Sequence, residues 1–246
     1  MPFNLTDASA QSQRSLAGDK LEKVCTRVLN QTLSDQGIIV LKGTKKALET
    51  YFGSESIAQQ IVDFNRLPVK RPCDQKQLED YPDTDLFVLT KEDSYWRVLA
   101  LISCKVSFHS RHTMVTFWGL AVRISSHVPY VCVTEDANTF RGESSELGIS
   151  CSQPTAARRL LESFTDGVYI IKQYNSYDSR ELIDDLNLFS TQASVTKPKK
   201  RAIIFDKPSS QNHTKYCRSV RPFDDLILDI LRWKEKRHAS DEDSSV

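Results

Sequence analysis

A chain of 246 residues with 39% apolar side chains suffices for one large domain or two small ones around a buried core, and it contains no run of about 18 apolar residues that would span a membrane. A net charge of +1 excludes a uniformly basic nucleic-acid glue, so any DNA contact has to come from local basic clusters, at Lys70-Arg71, Arg158-Arg159, Lys197 to Arg201 and Arg232 to Arg237. Six cysteines (Cys25, Cys73, Cys104, Cys132, Cys151, Cys217) form no C-x-x-C pair, which fits reduced thiols and neither a disulfide framework nor a zinc site.

The opening MPFNLTDASAQSQRS has neither the apolar stretch of an export signal nor an Arg-rich transit pattern, so the chain is expected in the cytoplasm with residues 1–15 disordered. From Gly18 onward Leu21, Val24, Cys25, Val28, Leu29 and Leu33 recur at helical spacing. GIIVLKG (37–43) reads as a short strand, 45–51 and 55–64 as two helices, and RLPVKRPCDQKQ as a connection. Two apolar runs, 86–89 and 96–103, flank the polar link TKEDSY and predict an antiparallel hairpin. Its second strand, with Leu99-Ala100-Leu101-Ile102, has the continuous apolarity of a strand covered on both faces. HTMVTFWGLAVRIS predicts a helix in which Phe117 and Trp118 belong to the core; YVCVT (130–134) predicts a strand. A helix over 154–164, a strand over 167–174, a helix over 180–189, a polar loop SVTKPKKR and an amphipathic helix over 223–236 follow. The order argues for an α/β fold with a mixed central sheet flanked by helices, in one domain of residues 16–238 followed by an acidic tail, 239–246.

The hairpin gathers chemistry at one end. In an antiparallel pair the start of one strand lies beside the end of the next, so Asp83 and Asp85 meet Lys105. Two-residue alternation puts Asp83 with Asp85, and Ser103 with Lys105, on shared faces. Carboxylate, hydroxyl and ammonium together suit phosphodiester hydrolysis, in which hard oxygen ligands hold Mg²⁺ and a cation offsets charge on the phosphorane. Taken without further support, an acid–lysine pair across a hairpin is usually a surface salt bridge.

"YPDTDLFVL" followed by "LALISCKVSF" resembles the active-site hairpin of the PD-(D/E)xK nuclease superfamily, in particular type II restriction endonucleases with a serine two residues before the lysine. "HSRHTMVTFW" and "YVCVTED" resemble the continuation of such enzymes, and "GDKLEKVCTRVLNQTL" their first helix, so the similarity covers roughly residues 18–136. The resemblance implies a restriction-endonuclease-like fold and Mg²⁺-dependent, sequence-specific cleavage of double-stranded DNA. Asp83 or Asp85 would be the strand aspartate that binds the metal, with Asp85 preferred because it directly precedes the apolar run. Lys105 would orient water and phosphate, and Ser103 occupies a position that is acidic in the commoner motif. Glu22 on the first helix would supply the missing ligand, the other reading being an exposed charge paired with Lys20 or Lys23. Where relatives often carry Arg-Glu-Arg, this chain has His109-Ser110-Arg111, of which Arg111 retains the bidentate fork for guanine O6 and N7.

A symmetric site implies a homodimer, with the final helix or the 178–189 helix as interface, and a separate DNA methyltransferase to protect the host. Two other readings keep the fold: a repair or defence nuclease that reads DNA structure, and a DNA-binding protein weakened in catalysis, since Ser103, Ser110 and the acid-free stretch 94–134 thin out the metal ligands. His112 and His127 have no partner at diagnostic spacing for a general base. Thr134-Glu135-Asp136 reads as a strand end that caps a turn, with a second metal as the alternative. KPKKR (197–201) reads as a phosphate clamp or a solvated linker.

Overall fold

The computed structural model describes residues 5–67, 73, 81–92, 95–108, 111–136, 145–148, 152–171 and 219–243, with side chains only from 16 to 236 in the two terminal helices. The expected helix over 180–189, the 197–201 loop, Lys70-Arg71, Cys151 and Cys217 lie outside them. A six-stranded sheet runs in chain order: β1 (Ile38–Lys42), β2 (Leu86–Glu92), β3 (Tyr95–Lys105), β4 (Tyr130–Thr134), β5 (Gly167–Ile170) and β6 (Val220–Pro222). β1, β2 and β3 are antiparallel, whereas β3 to β6 are parallel, so the sheet is mixed as expected.

Helices cover both faces. On one, α1 (Leu5–Leu33) and α6 (Phe223–Asp243) pack Leu21, Val28, Leu29, Phe223, Leu226 and Ile230 against Val40, Val88, Ile102 and Val133. On the other lie α2 (Lys45–Phe52), α3 (Glu55–Asp63), α4 (His112–Ser125) and α5 (Ala156–Phe164), over Phe87, Leu101, Cys132 and Val168. β3 is buried from Val98 to Cys104, the burial that its unbroken apolar run predicts. Side-chain caps start the short helices: Thr44 accepts from the Ala47 amide, Ser54 from that of Ile57 and Thr155 from that of Arg158. The outer strand β1 is blunted by Asn30, whose amide group exchanges two 2.7 Å hydrogen bonds with the Val40 backbone in the manner of a neighbouring strand.

Three expectations need correction. α1 begins at Leu5, within the stretch expected to be disordered; between there and Gly18 no Gly or Pro interrupts it, and extending an anchored helix costs little per residue. Phe117 is 57% exposed, because the core takes Val115, Thr116, Gly119 and Val122 from α4, and Met114, Leu120 and Ile124 join Phe117 on an open apolar face. Arg158 is fully buried and paired with Glu162 at 3.0 Å, so it contributes nothing to a basic surface. No helix among the described residues is long and apolar enough to cross a membrane.

The far end of the sheet is tied to α6 by a buried polar knot. The Tyr169 hydroxyl donates to Asp229 at 2.5 Å and accepts from Arg221 at 2.6 Å, and Arg221 also pairs with Asp229. Tyr169→Phe leaves the Asp229 carboxylate short of a donor, and thermal unfolding should register a loss of about 1–3 kcal/mol. An unchanged midpoint would mean that the phenol is dispensable to the knot.

Candidate active site

The local fold holds Asp85 by its backbone before its side chain does anything. Its amide donates to the Ile102 carbonyl at 3.0 Å and its carbonyl accepts from the Gly43 amide at 2.8 Å, so the residue is pinned between β3 and the end of β1. Gly43 is there because the chains touch: a Cβ on it would lie 1.9 Å from the Thr84 carbonyl oxygen. Antiparallel pairing of Leu86 with Ile102 then brings Asp85 beside the end of β3. Its Oδ2 accepts from Ser103 Oγ at 3.2 Å, from the Cys104 amide at 2.6 Å and from Lys105 Nζ at 2.8 Å. Three donors on one oxygen fix the carboxylate's orientation. Burial works against the Lys105 charge, but Asp85, by charge and hydrogen bond, outweighs it and raises the ammonium's pKa.

Asp83 differs from Asp85. β2 starts at Leu86, so Asp83 precedes the strand, yet its carboxylate and that of Asp85 both approach Lys105 Nζ. Its carboxylate is half exposed and 4.0 Å from Lys105 Nζ, at the limit of an ion pair. Its backbone carbonyl accepts from the Tyr130 hydroxyl at 3.0 Å. Burial pushes the Tyr130 phenol's pKa up, and the hydroxyl also meets Ser103, so a neutral phenol buttresses the turn. Tyr130 escaped the sequence reading; the first residue of the strand parallel to β3 is the signal that would have found it.

Glu22 comes from α1 on the sheet's opposite face and reaches round the end of the hairpin. It is not paired with Lys20 or Lys23: its Oε2 lies 3.2 Å from Lys42 Nζ, with Asp19 3.9 Å from the same nitrogen. Burial raises the Glu22 carboxyl's pKa, the Lys42 hydrogen bond opposes this, and the nearby negative charge of Asp85 pushes it up again. Lys42, last residue of β1 and opposite Leu86 in register, was also missed by the sequence reading. Its position is legible only once β1 is known to pair with β2.

Two carboxylates repelling one another across a sheet end are a place for a hard cation. Among the described residues no group of three or more His, Cys, Asp and Glu is arranged to hold a metal ion. Glu22 and Asp85 are nonetheless donors of the kind Mg²⁺ takes, since that ion commonly binds one or two carboxylates and completes its octahedron with water and phosphate oxygens. Ser103 offers a hydroxyl where an acid would add charge. Burial pushes the adjacent Cys132 thiol up to about 12, so no thiolate competes for the ion.

Arg111 is exposed at the start of α4, its amide bonded to the Phe108 carbonyl. His109 and Ser110 lie outside the described residues.

Residues 58–195 match the family described as BsaWI restriction endonuclease type 2. That span includes Asp83, Asp85, Ser103, Lys105 and Arg111; Glu22 and Lys42 precede it. A protein of Methanocaldococcus jannaschii, provisionally named type II restriction enzyme MjaVIP, is 27% identical over 168 residues, which are 66% of this chain and 68% of that protein. The crystal structure of a pre-specific restriction endonuclease BsaWI–DNA complex aligns with 76% of this chain and 69% of its own, at 16% identity and a TM-score of 0.44.

Proposed function

This chain belongs to the BsaWI family of type II restriction endonucleases, and from that premise we propose that it hydrolyses double-stranded DNA at a specific sequence in a Mg²⁺-dependent reaction. The observation that carries the reading is the Asp85 carboxylate, held by Ser103, Cys104 and Lys105 on a single oxygen, with Glu22 near enough for its carboxyl to feel the Asp85 charge. Glu22 and Asp85 would hold the ion, which when bound supplies positive charge against the phosphorane and makes water more acidic. Lys105, kept protonated by Asp85, donates from Nζ to the scissile phosphate as charge develops on it. Ser103 and the Cys104 amide keep Asp85 from rotating when the lysine turns to the phosphate. Arg111 reads a base edge in the major groove, with His109 and Ser110 beside it in sequence.

A symmetric recognition site calls for two copies, each cutting one strand. The apolar face of α4 formed by Met114, Phe117, Leu120 and Ile124 supports such a homodimer. It favours α4 over the final helix, which commits Phe223, Leu226 and Ile230 to the core. The enzyme would act in the cytoplasm beside a separate methyltransferase that protects the host DNA.

Plasmid DNA incubated with the protein and MgCl₂ should fall to discrete fragments, and EDTA should stop the reaction. A smear would instead support a nuclease that reads DNA structure, and binding without cleavage would leave a DNA-binding protein, a reading favoured by Ser103 standing where an acid would add a ligand. Asp85→Asn and Glu22→Gln, tested separately, should each slow cleavage by about 10²-fold or more. Full activity in either variant removes that residue from the metal site.

A further inference from the structure

The ends of two parallel strands run out side by side next to the candidate active site, Lys105 of β3 opposite Thr134 of β4. Beyond them the chain continues as Val106-Ser107-Phe108 from β3 and as Glu135-Asp136 from β4. Asp136 is 2% exposed and holds a left-handed backbone, φ 54°, uncommon for a residue with a side chain. Such a conformation persists where its surroundings over-determine it. Here they do: Oδ1 accepts from the Glu146 and Leu147 amides at 2.8 Å each, and Oδ2 accepts from Ser145 Oγ at 2.6 Å. On the other side the Thr155 hydroxyl, which caps α5, donates to the Glu146 carbonyl at 2.7 Å. The turn of residues 145–148 is therefore fastened to β4 and to α5 at once, and Glu146 has little backbone freedom.

The Glu146 carboxylate accepts from the amide of Phe108. Phe108 is buried, and its own carbonyl accepts from the amide of Arg111, so the Glu146 bond grips the base of the turn that ends in Arg111. A carboxylate on a backbone N–H is a charge-assisted bond of the stronger kind. Asp136, Glu146, Phe108 and Arg111 thus form a continuous link from the strand beside Lys105 to the first turn of α4. Bidentate reading of a base edge tolerates misplacement of only about 0.5 Å. Besides this link, the described residues between Lys105 and Arg111 are held by the burial of Phe108 and by the packing of Val106 on the core.

We propose that Glu146 is a positioning residue for sequence discrimination: by holding the Phe108 amide it sets where Arg111 meets the base edges relative to Lys105. The inference rests on the function proposed above and assigns Glu146 no contact with DNA. Its test uses the full chain, wild type and variants, on a duplex library with eight randomised central base pairs. Binding is selected in CaCl₂ and cleavage in MgCl₂, with thermal unfolding measured alongside. Glu146→Ala should reduce discrimination between the best site and its single-base variants by about 10-fold or more, the size of one lost bidentate contact, in binding and in cleavage. The cleavage rate at the best site should stay within about 3-fold. Glu146→Gln, whose amide oxygen still accepts from Phe108, should keep most of the discrimination. If Glu146→Ala does not fold, Glu146→Asp carries the same expectation as alanine, because it retains the charge but falls short of the amide. Wild-type discrimination in the alanine or aspartate variant overturns the inference, as does a glutamine variant no better than alanine. A wild type that selects a sequence in CaCl₂ but cuts nothing in MgCl₂ overturns the nuclease function while the binding arm still decides the role of Glu146. A wild type that selects no sequence overturns the inference.

Discussion

Lys105→Ala is expected to lower single-turnover cleavage by about 10³-fold or more while DNA binding and folding persist. Among the described residues the lysine is the one ammonium within hydrogen-bond distance of Asp85 Oδ2, and its side chain is only 11% exposed, so bulk cations and water replace it poorly. The fold should survive because Asp85 keeps two donors, Ser103 Oγ and the Cys104 amide. The cost in stability is about 1–3 kcal/mol, that of a partly buried carboxylate losing a partner. Lys105→Met separates charge from packing: it restores the hydrocarbon stem, so it should recover stability without recovering cleavage. Either variant cutting at the wild-type rate would remove the lysine from the chemistry.

The second large effect comes from a residue with no side chain. Gly43→Ala puts a carbon 1.9 Å from the Thr84 carbonyl oxygen and 2.7 Å from its carbon, both backbone atoms that cannot swing aside. The strand end must move, and with it the Gly43 amide that holds the Asp85 carbonyl. A shift of about 1 Å in a catalytic group costs about 10²-fold in rate. Overpacking adds about 1–3 kcal/mol of destabilisation, or very roughly 2–4 °C in midpoint for each kcal/mol in a chain of this size. Gly53→Ala is the matched control: its positive φ of 61° makes alanine unfavourable, but nothing lies near the added methyl, so it should lose stability and keep activity. Gly43→Ala cutting as fast as wild type would show that the clamp on Asp85 is slack.

Why the sequence revealed one half of this site and hid the other follows from how each half is built. Asp85, Ser103 and Lys105 are joined by a hairpin, and local antiparallel pairing makes the meeting of strand start and strand end a consequence of spacing alone. Lys42 and Tyr130 arrive from β1 and β4, the two neighbours of that hairpin, and no periodicity in a single chain says which strands flank which. Glu22 is reached through resemblance, and the lysines weighed as its alternative partners, Lys20 and Lys23, lie only two residues and one residue away on its own helix, too close in sequence to face it; the contact is instead made to β1. Burial on α4 was misread at Phe117 because an apolar helix that is also exposed gives the same pattern as one packed all round. Arg158 shows the reverse, a charge in a basic cluster that burial turns inward to Glu162. The strand-end cap at Asp136 was legible as chemistry, yet its target, a turn about ten residues further along the chain, was not.

The ion pairs at the end of the sheet have one more implication. Lys42 lies between Asp19 and Glu22, and Lys105 between Asp83 and Asp85, so with every group ionised four carboxylates face two ammonium ions and the patch is left with two negative charges in excess. A polyanion approaching that patch is repelled at the spot where the proposed reaction would cut it, and one divalent ion would offset the excess. Under the function proposed above, metal loading and close approach of the phosphate backbone would be thermodynamically linked, each favouring the other by the same factor. The same sheet end that performs the chemistry would thus discourage a metal-free protein from lodging productively on DNA.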